Sequence, residues 1–261
     1  MSNLTRAVVN VATTPYYQRG ATRLMRALEL AQEPASVICW RTLPPECPAH
    51  DDVPYAFKAF ALREAAKSAD LLLWCDSCIL PVRSLAPLWE RIERDGYWMA
   101  PNGFTNYEWT ADSAYRDLFP YTHAGVYEEE TMALARASNR NCSHVIATCF
   151  GLNVHSGVGA AFLVEYFRLA SETRAFRGPW INANSIDAAK RQALNEGASG
   201  GRVAPCGPPD VRGHRHDQTA ASVIAWRLGM KLTPPPEVLI YGRAEDATDE
   251  RTLLVADGSY Q

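Results

Sequence analysis

The sequence predicts an α/β fold: a single domain of 261 residues in which helices flank a mostly parallel central sheet. Two observations support this fold class. Apolar segments of strand length alternate along the N-terminal part with segments whose apolar residues recur at helical spacing. One segment, residues 71–75, contains only apolar residues, which is typical of a central strand covered on both faces. This alternation favours parallel βαβ units.

The N-terminal elements follow in order. Runs of β-branched and other apolar residues predict strands over residues 6–13, 35–41 and 70–75. Apolar residues at helical spacing predict helices over residues 20–33, over residues 53–69 and from Ser84 onward. Pro54 supports the second helix, because proline suits the first turn.

The C-terminal elements are predicted by the same signals. We expect a strand over residues 144–154, helices over residues 159–171 and up to Gly229, and edge strands over residues 237–242 and 252–258. Residues 97–127 show no clean period and suit either the wall of an acceptor cleft or irregular surface structure. Residues 195–209 are rich in glycine and proline and predict a loop, either a surface loop or a mobile lid.

Composition narrows the function classes. The net charge of −3 and a pI near 6.1 give no global reason to expect a nucleic acid or an anionic membrane as partner. The N-terminal apolar segment is too short for a secretory signal, and polar residues interrupt the most apolar stretch, residues 144–167. We therefore expect a cytoplasmic protein without a membrane span. The seven cysteines are expected to be reduced core residues.

Asp76 directly follows the predicted central strand. Ligands of α/β sheets bind at the carboxyl ends of the strands, so Asp76 is expected at the ligand edge. It is too far from Ser84 to cap the next helix, which leaves a turn carboxylate or a ligand for a cation. A carboxylate here suits Mg²⁺ or Mn²⁺, which would neutralise the charge that grows on a departing diphosphate.

Two segments carry a resemblance to a known family. Residues 53–98 (VPYAFKAF…ADLLLWCDSCILP…DGYW) resemble the segment of GT-A-fold glycosyltransferases in which an apolar strand ends in a metal motif of the type LWLDSDIVV…PLDPLFE. Residues 213–230 (GHRHDQTAASVIAWRLGM) resemble the HDQ segment near the end of the catalytic domain in several such bacterial and viral enzymes. The resemblance spans about residues 6–232 and implies a GT-A-like, Rossmann-like fold and transfer of a sugar from a nucleotide-diphosphate sugar.

The sequence departs from this family at the metal motif. Where the family has Asp-x-Asp, this chain has Asp76, Ser77 and Cys78, so a thiol replaces the second carboxylate. The resemblance implies a Mg²⁺ or Mn²⁺ site at Asp76 that is completed by a late histidine, with His214 as the candidate. A histidine ligand would favour Mn²⁺.

The resemblance also implies the remaining site residues. Asp217 and His216 are the catalytic candidates, with Asp217 facing the acceptor or the reacting sugar carbon; its alternative role is a helix cap. Lys58 is expected at the diphosphate, or else in solvent. The other predicted contacts to the nucleotide sugar are Thr13, Thr14, Tyr16, Asp76 and Ser77.

The predicted function is therefore a glycosyltransferase. It would have a nucleotide-binding half over about residues 1–100, an acceptor-side half over about residues 101–235 and C-terminal edge strands over residues 236–261. A UDP-sugar is the favoured donor, and a saccharide, a protein or a modified nucleobase in DNA is the acceptor. Glu108, Asp112, Glu128, Glu129 and Glu130 are conceivable bases.

Two alternatives stay open at this point. One is a non-catalytic nucleotide-sugar binding protein, which Cys78 in the metal motif favours. The other is a nucleotidyltransferase, which ranks last because such enzymes carry a glycine-rich, basic phosphate loop after the first strand. Only Gly20 stands in that region here.

Overall fold

A mixed five-stranded sheet forms the centre of the computed structural model, which describes residues 4–119, 129–177, 207–208 and 210–258, with only the backbone at residues 129 and 130. The strands are β1 Arg6–Val11, β2 Ser36–Trp40, β3 Leu71–Cys75, β4 Ile79–Pro81, β5 Tyr97–Trp98, β6 Pro101–Thr105, β7 Ser143–Val145, β8 Cys149–Asn153, β9 Val238–Tyr241 and β10 Thr252–Ala256. The α-helices are α1 Pro15–Leu30, α2 Ala56–Ala65, α3 Ala86–Asp95, α4 Tyr115–Leu118, α5 Glu129–Arg140, α6 Gly157–Glu172 and α7 His216–Arg227.

The central sheet has the strand order β2-β1-β3-β8-β5. Strand β1 is parallel to β2 and β3, whereas β8 runs antiparallel to β3 and β5. The predicted α/β fold class is confirmed, but the sheet is parallel only where strands and helices alternate in the N-terminal part. The antiparallel half begins where β8 pairs with β3.

Burial on both faces explains why the sequence of strand β3 is apolar throughout. Its side chains alternate between two hydrophobic clusters, with Leu72 and Trp74 in one and Leu71, Leu73 and Cys75 in the other. All five residues are fully buried. Helices cover both faces of the sheet, because α2 and α6 contribute to the first cluster and α1 and α3 to the second. Polar side chains on this strand would therefore have no water to face.

The two predicted C-terminal strands lie in a second sheet and not at the edge of the central one. This sheet has the order β4-β10-β9, with β10 antiparallel to β4 and parallel to β9. The predicted strand over residues 144–154 is also divided, because β7 pairs with β6 and β8 pairs with β3. Strands β4 and β5 are too short to show a period in the sequence.

Helix α1 begins earlier than its apolar spacing predicts. It starts at Pro15 and not at Gly20, with Thr14 as N-cap: the Thr14 side chain accepts a hydrogen bond from the Tyr17 backbone N–H at 3.4 Å. A threonine N-cap followed by proline is a helix-start signal that is independent of periodicity. Within the described residues, no helix combines the length and the apolar character needed to cross a membrane.

Candidate functional site

Asp76 lies directly after β3, at the carboxyl edge of the parallel strands, where the sequence predicts it. Its backbone N–H donates to the Thr148 carbonyl at 2.8 Å. The indole Nε1–H of Trp74 donates to Asp76 Oδ1 at 2.7 Å. The Asp76 side chain stays 26% exposed, so it is held in one orientation while it still faces solvent.

Lys58, the third residue of α2, lies inside the protein and not in solvent. Its Nζ is 3.1 Å from Asp76 Oδ1 and 2.9 Å from Asp217 Oδ2, and it donates to the Ala147 carbonyl at 2.8 Å. The contacts to Asp76 and Ala147 are hydrogen bonds, whereas the contact to Asp217 is an ion pair without hydrogen-bond geometry. The side chain is only 3% exposed. The structure thus brings two predicted carboxylates onto one buried cation.

Asp217 reaches this cation because it is the second residue of α7. His216, the first residue of that helix, has a φ of +47°, and Tyr55, the N-cap of α2, has a φ of +61°. Residues with a side chain rarely adopt this left-handed conformation, which costs about 1–3 kcal/mol. The two rings lie 5.7 Å apart. Two of the five non-glycine residues with positive φ in the described chain therefore stand at the starts of the helices that carry Lys58 and Asp217.

Burial and charge shift the pKa of all three groups. Burial disfavours a charged ammonium, but the carboxylates of Asp217 and Asp76 outweigh it and raise the pKa of Lys58. Burial also raises the pKa of Asp76 and of Asp217, which the ammonium of Lys58 opposes. Lys58 is therefore charged at neutral pH, and each aspartate holds a proton more readily than an exposed one.

These groups line a cavity of about 360 Å³. Its walls also include Tyr55, Arg215, His216 and Tyr241. The hydroxyl groups of Tyr241 and Thr148, which also lines the cavity, are 3.1 Å apart. The cavity therefore joins side chains from the end of β3, the starts of α2 and α7, and β9 of the second sheet.

Arg215 is the second cation of the cavity. Its guanidinium lies over the Trp109 ring, 4.8 Å from the centroid. Among the residues that the structure describes, Arg215 forms no ion pair, and its buried Nε has no hydrogen-bond partner. A guanidinium positioned over an aromatic ring and without an ion-pair partner is suited to contact a carboxylate or a phosphate.

The two histidines beside Arg215 have different surroundings. His216 lines the cavity, and its Nδ1 donates to the Phe176 carbonyl at 2.9 Å, which leaves the lone pair on Nε2. Burial lowers the pKa of His216 to about 4. His214 is fully buried outside the cavity lining: its Nδ1 accepts from the Ala111 N–H and its Nε2 donates to the Ala175 carbonyl. Burial lowers the pKa of His214 to about 3.

These contacts do not fit the divalent metal that the family resemblance implies. Both ring nitrogens of His214 are engaged, so its predicted role as a metal ligand disagrees with the geometry. Cys78 packs against the hydrophobic cluster of β3, and burial raises the pKa of its thiol to about 12. No three His, Cys, Asp or Glu side chains come close enough together to hold a metal ion in the described part of the chain.

The predicted nucleotide contacts outside the cavity lie at the end of β1 and beside Asp76. Thr13 and Tyr16 are exposed, with the Tyr16 hydroxyl donating to the Gly258 carbonyl at 3.2 Å. Thr14 caps α1 as described. Ser77 is buried and accepts from Asn10 Nδ2 at 3.3 Å. The predicted site residues therefore divide: Lys58, Asp76, His216 and Asp217 gather at the cavity, whereas Thr13, Thr14, Tyr16, Ser77 and His214 do not line it.

Two of the conceivable bases, Glu108 and Asp112, form ion pairs outside the cavity. Glu108 pairs with Arg212 at 3.2 Å, and Asp112 pairs with Arg136 at 2.6 Å. Neither Glu108 nor Asp112 lines the cavity. Glu128, the side chains of Glu129 and Glu130, and nearly all of the loop predicted over residues 195–209 lie outside the described residues.

Sequence patterns did not single out two aromatic residues of the cavity. Tyr55 precedes α2, where its left-handed conformation has no sequence signal because the residue is neither glycine nor asparagine. Tyr241 belongs to β9, whose pairing in a separate sheet could not be predicted. Arg215 had a signal, because it stands between two histidines just before an apolar helix.

Comparison with known proteins finds no relative by sequence, and the solved structures it finds are distant. No protein-family model matches the sequence, and no curated protein sequence matches it. A glycosyltransferase involved in glycosylation of the major capsid of PBCV-1 has 11% identity and a TM-score of 0.44, covering 97% of this chain and 93% of that chain. Mouse xyloside xylosyltransferase 1 in apo form has 10% identity and a TM-score of 0.44, covering 98% of each chain.

The bifunctional glycosyltransferase WbbM in apo form has 10% identity and a TM-score of 0.46, covering 98% of this chain and 46% of that chain. At TM-scores below 0.5, these likenesses say nothing about donor, acceptor or reaction.

Proposed function

We propose that the chain transfers a glycosyl group from a nucleoside-diphosphate sugar to an acceptor hydroxyl or amine. One observation carries the proposal: the two sequence segments that resemble glycosyltransferases, far apart in the chain, meet at one cavity through Lys58. Asp76 of the first segment and Asp217 of the second lie 3.1 Å and 2.9 Å from its Nζ. A structural ion pair alone would not require an adjoining cavity at the ligand edge of the sheet.

The chemistry assigns roles to three of the four charged groups, Asp217, Lys58 and Arg215. In the reaction, the acceptor atom bonds to the anomeric carbon, the bond from that carbon to the diphosphate oxygen breaks, and the nucleoside diphosphate leaves with the electron pair. The acceptor proton passes to Asp217, or to Nε2 of His216, as general base. The cations Lys58 and Arg215 stabilise the charge that grows on the leaving oxygen.

The donor side extends toward β1. Thr13, Thr14 and Tyr16, at the start of α1, are proposed to border the base and ribose. A UDP-sugar is the first donor to test. The proposed acceptors are a saccharide, a protein and a modified nucleobase in DNA, each of which offers a nucleophilic oxygen or nitrogen.

Thermal unfolding with donor sugars tests the proposal. A ligand that binds only the native state raises the melting temperature by mass action. We expect a rise with sugars of one nucleotide among UDP-, GDP-, CDP- and ADP-sugars, and a smaller rise for Asp76→Ala, because this variant no longer holds the Lys58 ammonium in place at the cavity. Asp95→Asn is the matched control, because Asp95 pairs with Arg94 at the surface. Absence of any shift in a folded sample would rule the proposal out.

A second candidate, a non-catalytic nucleotide-sugar binding protein, is favoured by one observation: Lys58 holds both cavity carboxylates while Cys78 stands at the second acidic position of the motif. The two candidates differ in turnover. A protein that binds the donor but releases no nucleoside diphosphate with saccharide, peptide or DNA acceptors would be the binding protein.

A further inference from the structure

The formal charges of the side chains that line the cavity sum to zero without a metal ion. Lys58, Arg215, Asp76 and Asp217 all line the cavity, and their formal charges sum to zero. Two carboxylates that bind a divalent metal also sum to zero. The side chains alone therefore give the cavity a net charge of zero. A site made of two aspartates reaches a net charge of zero only when the divalent metal is bound.

The position between the two aspartates is already filled. Trp74 Nε1 and Lys58 Nζ occupy Asp76 Oδ1 at 2.7 Å and 3.1 Å, and Lys58 also donates to Asp76 Oδ2 at 3.3 Å. The same ammonium is 2.9 Å from Asp217 Oδ2. A divalent ion on these oxygens would lie within a few ångströms of Lys58, where repulsion between cations is strong in a buried site.

The other donors that a metal would need face away. Cys78 packs against the hydrophobic cluster that contains Leu71 and Leu73. Both nitrogens of His214 are hydrogen bonded to backbone groups. The oxygen-rich ligand set that Mg²⁺ and Mn²⁺ require is therefore not assembled by the described residues.

Arg215, in contrast to Cys78 and His214, lines the cavity. It is partly exposed at the cavity, its guanidinium is oriented by the Trp109 ring, and no carboxylate of the described residues pairs with it. Arginine binds phosphate oxygens through parallel N–H groups and keeps its charge at any physiological pH.

We propose that donor binding in this cavity needs no divalent metal, because Lys58 fills the cation position between Asp76 and Asp217 while Arg215 contacts the diphosphate. The inference rests on the proposed function. It adds that the site recognises a diphosphate through Arg215, while Lys58 takes the place of a metal between the two aspartates.

Calorimetric titration separates this inference from the proposed function. The probes are MnCl₂ alone, the nucleoside diphosphate whose sugar raises the melting temperature, and its uncharged nucleoside. We expect no binding of MnCl₂, and a dissociation constant for the nucleoside diphosphate that agrees within about threefold between excess EDTA and MnCl₂.

Variants of two arginines test the contact to the diphosphate. We expect Arg215→Gln to weaken nucleoside diphosphate binding at least about tenfold, the loss typical of a charge-assisted hydrogen bond, and to leave nucleoside binding unchanged. Arg212→Gln is the matched control: its guanidinium lies over the Phe104 ring and pairs with Glu108 outside the cavity. Equal losses for nucleoside and nucleoside diphosphate in Arg215→Gln would indicate a structural role and overturn the contact.

Removal of Lys58 tests the filled cation position. Lys58→Met leaves Asp76 and Asp217 without their cation. We therefore expect this variant to bind Mn²⁺, whereas the native protein does not. Electron paramagnetic resonance of Mn²⁺ would detect the difference. Should it fail to fold, the EDTA comparison and the Arg215 variant decide.

Each result has one meaning. Nucleoside diphosphate binding that appears only with MnCl₂, or binding of MnCl₂ alone to the native protein, overturns this inference and leaves the proposed function standing. Absence of nucleotide binding in both media removes the proposed function and the inference together.

Discussion

Lys58 and Asp217 form an ion pair of 2.9 Å that joins α2 to α7 in the interior, with side chains only 3% and 6% exposed. The helices come from opposite halves of the chain, so this contact fixes where the second carboxylate lies relative to the first. A buried pair contributes little net stability, because both charges lose their hydration. Removal of one partner, in contrast, leaves an uncompensated charge.

Lys58→Met is therefore expected to lower the free energy of unfolding by about 3–5 kcal/mol, because it leaves the buried carboxylate of Asp217 and the half-buried one of Asp76 without a cation. Urea denaturation would measure the change. Lys67→Met is the control: this exposed lysine pairs with Glu64 at 2.7 Å, and a surface pair contributes at most about 1 kcal/mol. Equal losses in the two variants would contradict the interior role of Lys58.

Asp217→Asn is expected to lower turnover about 10²–10⁴-fold, the usual contribution of a general base, with the donor dissociation constant nearly unchanged. Steady-state kinetics and a donor titration would separate the two effects. Asp210→Asn should keep full activity, because Asp210 pairs with Arg140 away from the cavity. A purely weakened donor affinity in Asp217→Asn would contradict its role as base.

Stability is expected to fall as the pH drops from about 6.5 toward 4. Burial lowers the pKa of His214 to about 3 and of His216 to about 4, from the ordinary value of 6.5. In this window the unfolded chain binds protons that the folded protein does not, so each histidine contributes a slope of about 1.4 kcal/mol per pH unit.

The variant His214→Gln isolates one of these slopes. Glutamine offers one acceptor and one donor, as His214 does toward Ala111 and Ala175, but it does not titrate. Denaturation at a series of pH values should show a smaller acid-induced loss for this variant than for the native protein. Parallel pH curves for the two proteins would contradict the assignment of a neutral, buried His214.

Gly157 and Gly159, both in α6, form a matched pair of positions for substitution by alanine. A Cβ at Gly159 would lie 2.2 Å from the Asn153 carbonyl oxygen and 2.6 Å from that of Gly96, whereas a Cβ at Gly157 would meet nothing within 4 Å. We expect Gly159→Ala to destabilise by about 1–3 kcal/mol and Gly157→Ala to stabilise by about 0.5–1 kcal/mol. Similar unfolding free energies for both variants would show that the backbone around Gly159 yields at little cost.

Long, strongly patterned elements could be predicted from the sequence. Strand β3 and the helices α2, α3 and α6 were each marked by apolar runs or spacing. Strands β4, β5 and β6 could not be predicted, because two to five residues that include Pro81 and Gly103 show no period. The division into a nucleotide-binding half and an acceptor-side half stays a prediction.

The individual residues of the candidate site could be predicted from the sequence, but their arrangement in space could not. Lys58, Asp76 and Asp217 each stand at the boundary of an element, where sequence patterns draw attention to them. Their common ion-pair centre depends on how α2 packs relative to α7, which local patterns do not encode. His214 and His216 are equivalent in sequence, and only the path of the backbone decides that His216 faces the cavity.

The second sheet changes how the C-terminal residues should be treated in protein engineering. Strand β10 is buried throughout and pairs with β4, which follows Asp76, while β9 supplies Tyr241. Asp257 forms an ion pair with Arg23 of α1 at 2.9 Å. Residues 236–258, predicted as edge strands and tail, therefore pack onto β4 and α1 and supply Tyr241 to the cavity wall. A shortened gene product that stops near residue 235 should be open to proteases and should bind no donor, so affinity tags belong beyond this segment.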